Sequence, residues 1–554
     1  MDNCGIVVLK RRHDKLMRLN TLYYGDNLQI LREHIEDESV DLIYLDPPFN
    51  SNANYNVLFR SPAGKKSHAQ IEAFEDTWHW TGEAEQAFDQ VMQSGNTDAA
   101  ELLRAMRSFL KENDMMAYLT MMAIRLLQLH RVLKDTGSLY LHCDPTASHY
   151  LRLLLDGIFG PDRFLSEIIW KRYGAHSNSK IYGAVHDTIL FYSKTNEFRF
   201  NRQFQPYAPE YIVERFRFTD PDGRRWSEQN LANPDVRPNL TYPFIARNGI
   251  TYLPPPNGWK YEKKRMQELD DARRLHYPAK ADGRLRLKNY FDEMPGVAIQ
   301  DVWTDLSLIG GTSPERLGYP TQKPLGLMER IINSSSNEGQ VVLDPFCGCG
   351  TTVHAAQKLK REWIGIDVTS LAIGLIKDRI RRAFPDVEFE IVGMPKDLDG
   401  AHALADQDKY QFQWWAVQLI PDAQPYGGKK KGADSGIDGL FYFKPDLKST
   451  EKGIISVKGG GNVSVPMIRD LAHVVKREKA QMGIFITLAD PTKPMLTEAV
   501  KEGLYETVFG KYPRLQIVTI EQLLRGEIPK MPPADVSSLR RAVREDTAKQ
   551  NPLF

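Results

Sequence analysis

The chain has 554 residues, 42% hydrophobic and 26% charged, an ordinary globular composition that is too long for one core and points to roughly three or four compact units. Its 72 basic and 71 acidic side chains nearly cancel to +1, so a nucleic-acid partner would have to be held by local basic patches rather than by net charge. Cys4, Cys143, Cys347 and Cys349 are spaced unlike a disulfide framework, and no apolar run suffices for a signal-peptide core or a membrane span, which predicts a cytoplasmic protein without a membrane partner.

Leu22-Tyr23-Tyr24-Gly25-Asp26 reads as a strand and turn, and a short helix over 28–34 follows. Asp41-Leu42-Ile43-Tyr44-Leu45-Asp46 then reads as a buried strand that stops at Pro47-Pro48, because two prolines cannot continue a sheet ladder. The turn leaves Asp46 and the Pro47 carbonyl at the strand's C-terminal edge, where open α/β sheets bind ligands, with the ring of Phe49 beside them. One carboxylate, one fixed carbonyl and one ring suit a planar base with an exocyclic amine: the acceptors take its two N–H donors and the ring stacks on its face. Residues 51–97 are polar, aromatic and irregular, which predicts a long binding loop. Residues 98–133 carry apolar side chains at helical spacing, ended by Lys134-Asp135-Thr136-Gly137, and Ser138 to His142 form the next strand. Cys143-Asp144-Pro145 with His149 matches no zinc spacing and reads as polar groups at a strand end. A helix over 149–159 and a strand over 187–192 complete this half.

Between 197 and 300 the character changes. Aromatic and basic residues interleave over 207–226 and 252–261, and Pro254-Pro255-Pro256 breaks the chain. Such a loop-rich insert has the side chains that phosphate contact, base-edge readout and stacking require.

Thr321-Gln322-Lys323-Pro324 opens a helix, and Gln340-Val341-Val342-Leu343-Asp344 reads as a strand. Pro345-Phe346-Cys347-Gly348-Cys349-Gly350 is a glycine turn, 351–360 a helix, and Glu362 to Ile366 a second strand ending in Asp367. An acidic residue about 20 positions beyond the turn is spaced for ribose hydroxyls. A pyrophosphate wants a third glycine where Val353 stands, so a dinucleotide fits less well than an adenosine cofactor with a cationic tail, for which Asp344 is an acceptor. S-adenosylmethionine has such a tail. Cys347 and Cys349, without partner cysteines, read as small residues of a tight turn.

Asp46-Pro47-Pro48-Phe49, followed by Gln322-Lys323-Pro324, by Leu343 to Thr352 and by Gly365-Ile366-Asp367, resembles the permuted β-class DNA amino-methyltransferases, including relatives of type III modification subunits. The resemblance covers roughly residues 20–385 and rests on two independent motifs in the order that defines the class. It implies an α/β, Rossmann-like S-adenosylmethionine-dependent methyltransferase acting on double-stranded DNA, with a homodimer allowed and no metal needed for transfer. It implies further that Asp46, Pro47, Pro48 and Phe49 hold the flipped base. Asp344, Phe346, Gly348, Gly350, Asp367 and Lys323 are then the cofactor side. Asp rather than Ser at the motif's first position favours N6 of adenine; N4 of cytosine is the alternative.

From about Asp399 a different domain begins. Lys429-Lys430-Lys431 is a basic loop, Asp438 opens one strand, and Ser456-Val457-Lys458 ends the next. A carboxylate for Mg²⁺ and a lysine near the attacking water are parts of a metal-dependent phosphodiesterase. The segment resembles the Mrr-like branch of PD-(D/E)xK restriction endonucleases, with Asp438, Ser456 and Lys458 as the nuclease positions and Asp438 as the metal ligand. Ser456 stands where that family has Glu or Gln, which leaves open a domain that cleaves DNA and one that only binds it. The expected domains are 1–196 (catalytic half), 197–300 (target-recognition insert), 301–390 (cofactor half), 399–530 (nuclease-like α/β domain) and a tail over 531–554.

Overall fold

The computed structural model describes residues 20–48, 54–60, 66–75, 79–172, 180–279, 283–310, 313–317, 319, 321–426, 436–446 and 448–534. They fall into two compact units: one holds the described residues up to Asn201 and from Asp301 onward, the other is Arg202–Gln300. No helix among the described residues is long and apolar enough to cross a membrane.

The first unit is built on a nine-stranded sheet. Its strands are β1 (Thr21–Tyr24), β2 (Val40–Leu45), β3 (Leu133–Cys143), β4 (Phe164–Lys171), β5 (His186–Ser193), β6 (Val302–Trp303), β7 (Val341–Asp344), β8 (Glu362–Asp367) and β9 (Glu390–Val392), in the spatial order β6-β4-β5-β3-β2-β7-β8-β1-β9. From β3 to β9 every pairing is parallel, while β5 runs antiparallel to both of its neighbours. All six residues of β2 are buried, the near-continuous apolar run that a parallel strand covered on both faces requires. Leu42 and Ile43 of β2 pair with Val342 and Leu343 of β7, joining segments 300 positions apart in the chain. Asp41 clamps that joint. Its buried carboxylate accepts from the Val341 backbone N–H at 2.9 Å, from Gln340 Nε2 at 2.8 Å and from Lys134 Nζ at 2.7 Å.

Helices cover the sheet: α1 (Asn27–His34), α2 (Gly82–Met92), α3 (Thr97–Leu110), α4 (Asp114–Val132), α5 (Leu325–Ser335), α6 (Thr351–Lys358) and α7 (Ser370–Ala383). The stretch 51–97 is not the continuous loop its polarity suggests. It holds an antiparallel hairpin, Asn54–Arg60 with Lys66–Glu75, and α2, whose Ala84, Ala87, Phe88 and Val91 bury one helical face. The periodic stretch 98–133 is two helices: Lys111 takes φ 62°, and Asn113 starts α4 by accepting from the Met116 N–H at 2.8 Å. A strand that sequence alone did not suggest, β4, lies beside β5.

The second unit has its own core, with Phe244, Trp259, Met266 and Leu287 at its centre, and a four-stranded antiparallel sheet formed by Phe218–Thr219, Arg225–Asn230, Leu275–His276 and Arg286–Tyr290.

The C-terminal part of the first unit carries a five-stranded sheet whose spatial order is its chain order: β10 (Gln424–Pro425), β11 (Gly439–Phe443), β12 (Glu451–Lys458), β13 (Met482–Thr487) and β14 (Leu515–Thr519). Strand alternation splits its side chains between two cores. Ile455, Val457, Ile484 and Ile486 face helices α8 (Leu398–Gln407) and α9 (Lys409–Gln418); Ile454 and Phe485 face α10 (Val465–Arg477). Of the expected tail, Pro533 and Ala534 pair with the end of β11, and the residues after Ala534 lie outside those described.

Asp41→Ala would leave the buried Val341 N–H without its acceptor and the part-exposed Lys134 ammonium without its partner. A loss of about 1–3 kcal/mol is expected, the usual cost of leaving a buried donor unsatisfied. Urea unfolding of the full chain checks it; an unchanged midpoint would mean that strand pairing alone holds the two halves together.

Candidate active site

Parallel strands present their carboxyl ends on one edge, and four of them end at a common cavity of about 360 Å³. Gly25, Asp26 and Asn27 follow β1, Asp46, Pro47 and Pro48 follow β2, Asp344 ends β7 with Pro345 to Cys349 after it, and Asp367 ends β8 with Val368 and Thr369 after it. Tyr319, Lys323 and the face of α4 at Met121 and Arg125 close it. Residues 25–48 and 344–369, far apart in the chain, thus meet in one space.

The two carboxylate oxygens of Asp46 differ. Oδ2 is ion-paired with Lys323 Nζ, whereas Oδ1 is buried and accepts no hydrogen bond among the described residues. Lys323, expected with the cofactor residues, therefore sits against the Asp-Pro-Pro motif. Phe49, expected to stack on the base, lies outside the described residues. Behind Asp46 on the same face of β2, the Tyr44 hydroxyl hydrogen-bonds His142 Nδ1 at 2.8 Å, and His142 Nε2 pairs with Asp187 Oδ2 at 3.0 Å, all buried. Burial, with the Asp46 charge added, pushes the Tyr44 hydroxyl well above its usual range.

The turn after β7 depends on two glycines. Gly348 takes φ +50°, and a Cβ there would lie 3.2 Å from the Tyr319 ring. Gly350 takes φ +72° at the N-cap of α6, and a Cβ there would lie 2.7 Å from Ile376. Only glycine meets both demands without strain. Asp367 braces the turn from β8: Oδ2 accepts the Gly348 N–H at 2.9 Å, and Oδ1 accepts the Thr369 N–H at 2.8 Å and its hydroxyl at 2.9 Å. Asp344 Oδ1 accepts the Phe346 N–H at 3.0 Å. Burial raises both carboxyls against these bonds, Asp344 to about 7 and Asp367 to about 6.

Sequence reasoning missed the groups on the β1 side. Buried Arg125 donates from Nε to Asn27 Oδ1 at 2.6 Å and from a terminal nitrogen to Asp26 Oδ2 at 2.7 Å, and Asn27 Nδ2 donates to the Pro345 carbonyl at 2.8 Å. The available signal was the Arg125 guanidinium set among the apolar residues Met121, Met122, Ile124, Leu126 and Leu127 of α4. The Cys143-Asp144 cluster is a capping turn, with Asp144 accepting from the Thr146 and Ala147 N–H groups. The cavity carries two acids, Asp344 buried and Asp367 partly so, and, among the described residues, the unsatisfied acceptor Asp46 Oδ1, a wall suited to a cationic, N–H-bearing guest.

The C-terminal candidates form a separate cluster. Asp438 immediately precedes β11, and Ser456 and Lys458 lie on the adjacent β12. Asp438 Oδ2 accepts the Val457 N–H at 2.6 Å and the Ser456 hydroxyl at 3.4 Å. The basic loop 429–431 lies outside the described residues.

Residues 40–378 match the family model described as DNA methylase, and residues 406–510 match the one described as restriction endonuclease. The Type II methyltransferase M.EcaI of Enterobacter cloacae is 28% identical over 371 residues, 66% of this chain and 71% of that one. The Mod subunit of the type III restriction-modification enzyme StyLTI of Salmonella typhimurium (strain LT2) is 27% identical over 364 residues, 62% of this chain and half, 50%, of the subunit. The solved PvuII DNA methyltransferase, described as cytosine-N4-specific, is 13% identical over 67% of this chain and 88% of its own, with a TM-score of 0.32. More than half of the sequence lies within the first match, and the chain belongs to the DNA methylase family; a segment that matches the restriction endonuclease model follows it.

Proposed function

We propose that the first unit transfers a methyl group from S-adenosylmethionine to an exocyclic amine of a base turned out of double-stranded DNA, with N6 of adenine the favoured acceptor in a family that covers both N6 and N4. The observation that carries this reading is Asp46 Oδ1, a buried acceptor without a donor among the described residues, in the same cavity as the glycine turn. A buried acceptor left unsatisfied costs about 1–3 kcal/mol, so the site favours a guest that brings an N–H.

The cavity fits the proposed cofactor. Asp344 and Asp367 are acids that burial keeps from ionising easily, and a cation beside them relieves that cost; Gly348 leaves room where any side chain would strike Tyr319. Asp344, Phe346, Gly348, Gly350 and Asp367 would hold S-adenosylmethionine, whose sulfonium supplies an electrophilic methyl group. Asp46 accepts one N–H of the amine through Oδ1 while Lys323 fixes its other oxygen, and the Pro47 carbonyl serves the second N–H. The amine is thereby oriented with its lone pair free. Pro48 stiffens the turn, Phe49 is assigned the base's face, and extrusion of the base costs a few kcal/mol that stacking and phosphate contacts offset. Alignment and electrostatics supply most of the rate. Aspartate at the motif's first position supports adenine, and the insert of residues 202–300 is assigned the reading of sequence.

Asp46→Ala is expected to abolish methyl transfer and leave S-adenosylmethionine affinity nearly intact. Asp367→Ala loses the brace on Gly348 and is expected to weaken that affinity by about 1–3 kcal/mol. Calorimetry of both variants checks the split, and equal cofactor losses would sink it. Hydrolysing modified plasmid to nucleosides identifies the acceptor base.

The raised acid at Asp344 sets a pH dependence. Below about 7 the free protein holds it neutral, so binding a cation must expel a proton. Affinity is therefore expected to be full above pH 7 and to fall by up to about tenfold per unit below it. Asp344→Asn should bind more weakly and remove that slope; a flat wild-type profile across the window would show that Asp344 does not face the cationic group.

For the C-terminal domain the residues present do not make a Mg²⁺ site. Asp438 Oδ2 is engaged by a backbone N–H, Ser456 offers a neutral hydroxyl, and no group of three His, Cys, Asp or Glu suited to a metal occurs among the described residues. The domain is then read as one that grips DNA. Ser456→Glu restores a hard oxygen ligand beside Asp438 and is expected to bring on Mg²⁺-dependent nicking of supercoiled plasmid; nicking by the unaltered chain would overturn the gripping role.

A further inference from the structure

Helix α9 of the C-terminal domain is buried on two faces. Phe412, Trp415 and Ala416, at helical spacing i, i+3, i+4, belong to the C-terminal core. Gln411, Trp414 and Gln418, at i, i+3, i+7, face the methyltransferase. Gln411 Oε1 accepts the Ser370 N–H and hydroxyl, each at 3.0 Å, at the start of α7, and the Gln418 amide lies 2.7 Å from where a Cβ on Gly374 would stand. Trp414, 3% exposed, joins Tyr319, Cys349 and Leu371 in one buried cluster.

That cluster is the back of the cavity wall. Tyr319 and Cys349 line the cavity itself, and the Tyr319 ring is the surface against which Gly348 turns. Helix α7 reaches the same turn by a second route: a terminal nitrogen of Arg379 donates to the Cys349 carbonyl at 3.2 Å and to Thr351 Oγ1 at 3.1 Å. At the mouth of the sheet, Tyr24 at the end of β1 packs against the C-terminal core. The C-terminal domain thus shares a buried cluster with Cys349 of the glycine turn and is hydrogen-bonded to the helix that braces that turn. A packed interior transmits such contacts because it has no slack to absorb them.

We propose that Trp414 is a positioning residue for the methyl-donor cavity, so that docking of the C-terminal domain and binding of S-adenosylmethionine are one coupled equilibrium. The proposal rests on the cofactor reading above. Without the indole, Tyr319 and Cys349 lose the backing that sets the turn's shape, and the cofactor must restore that order at its own cost. Linkage is reciprocal, so the bound cofactor stabilises the docked α9 by the same factor.

The test uses the full chain. Trp414→Ala is expected to raise the calorimetric Kd for S-adenosylmethionine about fivefold or more, the lower end of common coupling between linked sites, while kcat changes much less than the KM for the cofactor. Trp414→Phe should restore most of the affinity. As a second readout that needs no variant, S-adenosylmethionine should slow hydrogen exchange at residues 409–418 of the wild type. Equal Kd values for wild type and Trp414→Ala overturn the coupling; if that variant does not fold, unchanged exchange at 409–418 overturns it. Wild type that binds no S-adenosylmethionine refutes the cofactor reading itself, a failure distinct from either.

Discussion

The parallel pairing of β2 with β7 is the constraint on which the site depends. Its two strands come from opposite ends of the methyltransferase sequence, and neither end makes a site alone: one brings Asp46, the other the glycine turn and its acids. Pairing Leu42 with Val342 and Ile43 with Leu343 fixes the register, and in a sheet a slip of one residue would turn every side chain to the other face. Asp41 makes that slip expensive, because its carboxylate fits Val341 and Gln340 in only one register. Strand pairing therefore sets where Asp46 and the turn stand relative to one another.

A second consequence is the concentration of buried acid at one edge of the sheet. Asp344 and Asp367 follow neighbouring strands, and burial raises both. Lys323 is set against Asp46, and Arg125 against Asp26, so the cations compensate the outer acids of the cavity and leave the inner two to a guest. Burial makes ionising these two acids costly near pH 7, a cost that a cationic guest would relieve, so the empty cavity and the filled one are expected to differ in proton content.

Much of this was legible because the informative residues sit where apolar runs stop. Asp46, Asp344 and Asp367 each end a strand whose burial is written as a continuous hydrophobic stretch, and the prolines and glycines beside them fix the turns. Contacts between distant side chains leave no such mark. The pairing of Lys323 with Asp46 spans 277 positions, and Arg125 meets Asn27 across 98. Helix α2 was hidden for another reason: half of its buried face, Ala84 and Ala87, is alanine, and it lies in a stretch whose polarity and aromatic content read as loop.

The placement of the C-terminal domain follows from chain order. The cofactor half ends at β9, a three-residue edge strand beside β1, and the chain turns from there directly into α8 and α9. An exposed edge of a sheet invites wrong pairing unless something covers it. The next domain follows with almost no linker, and α9 is buried on two faces because it serves two cores at once: Phe412, Trp415 and Ala416 on one side, Trp414 between Gln411 and Gln418 on the other. A helix that completes two cores cannot be removed without exposing both. The fusion is therefore a matter of shared packing as well as of shared sequence, and it falls on the side of the sheet where the glycine turn must hold its shape.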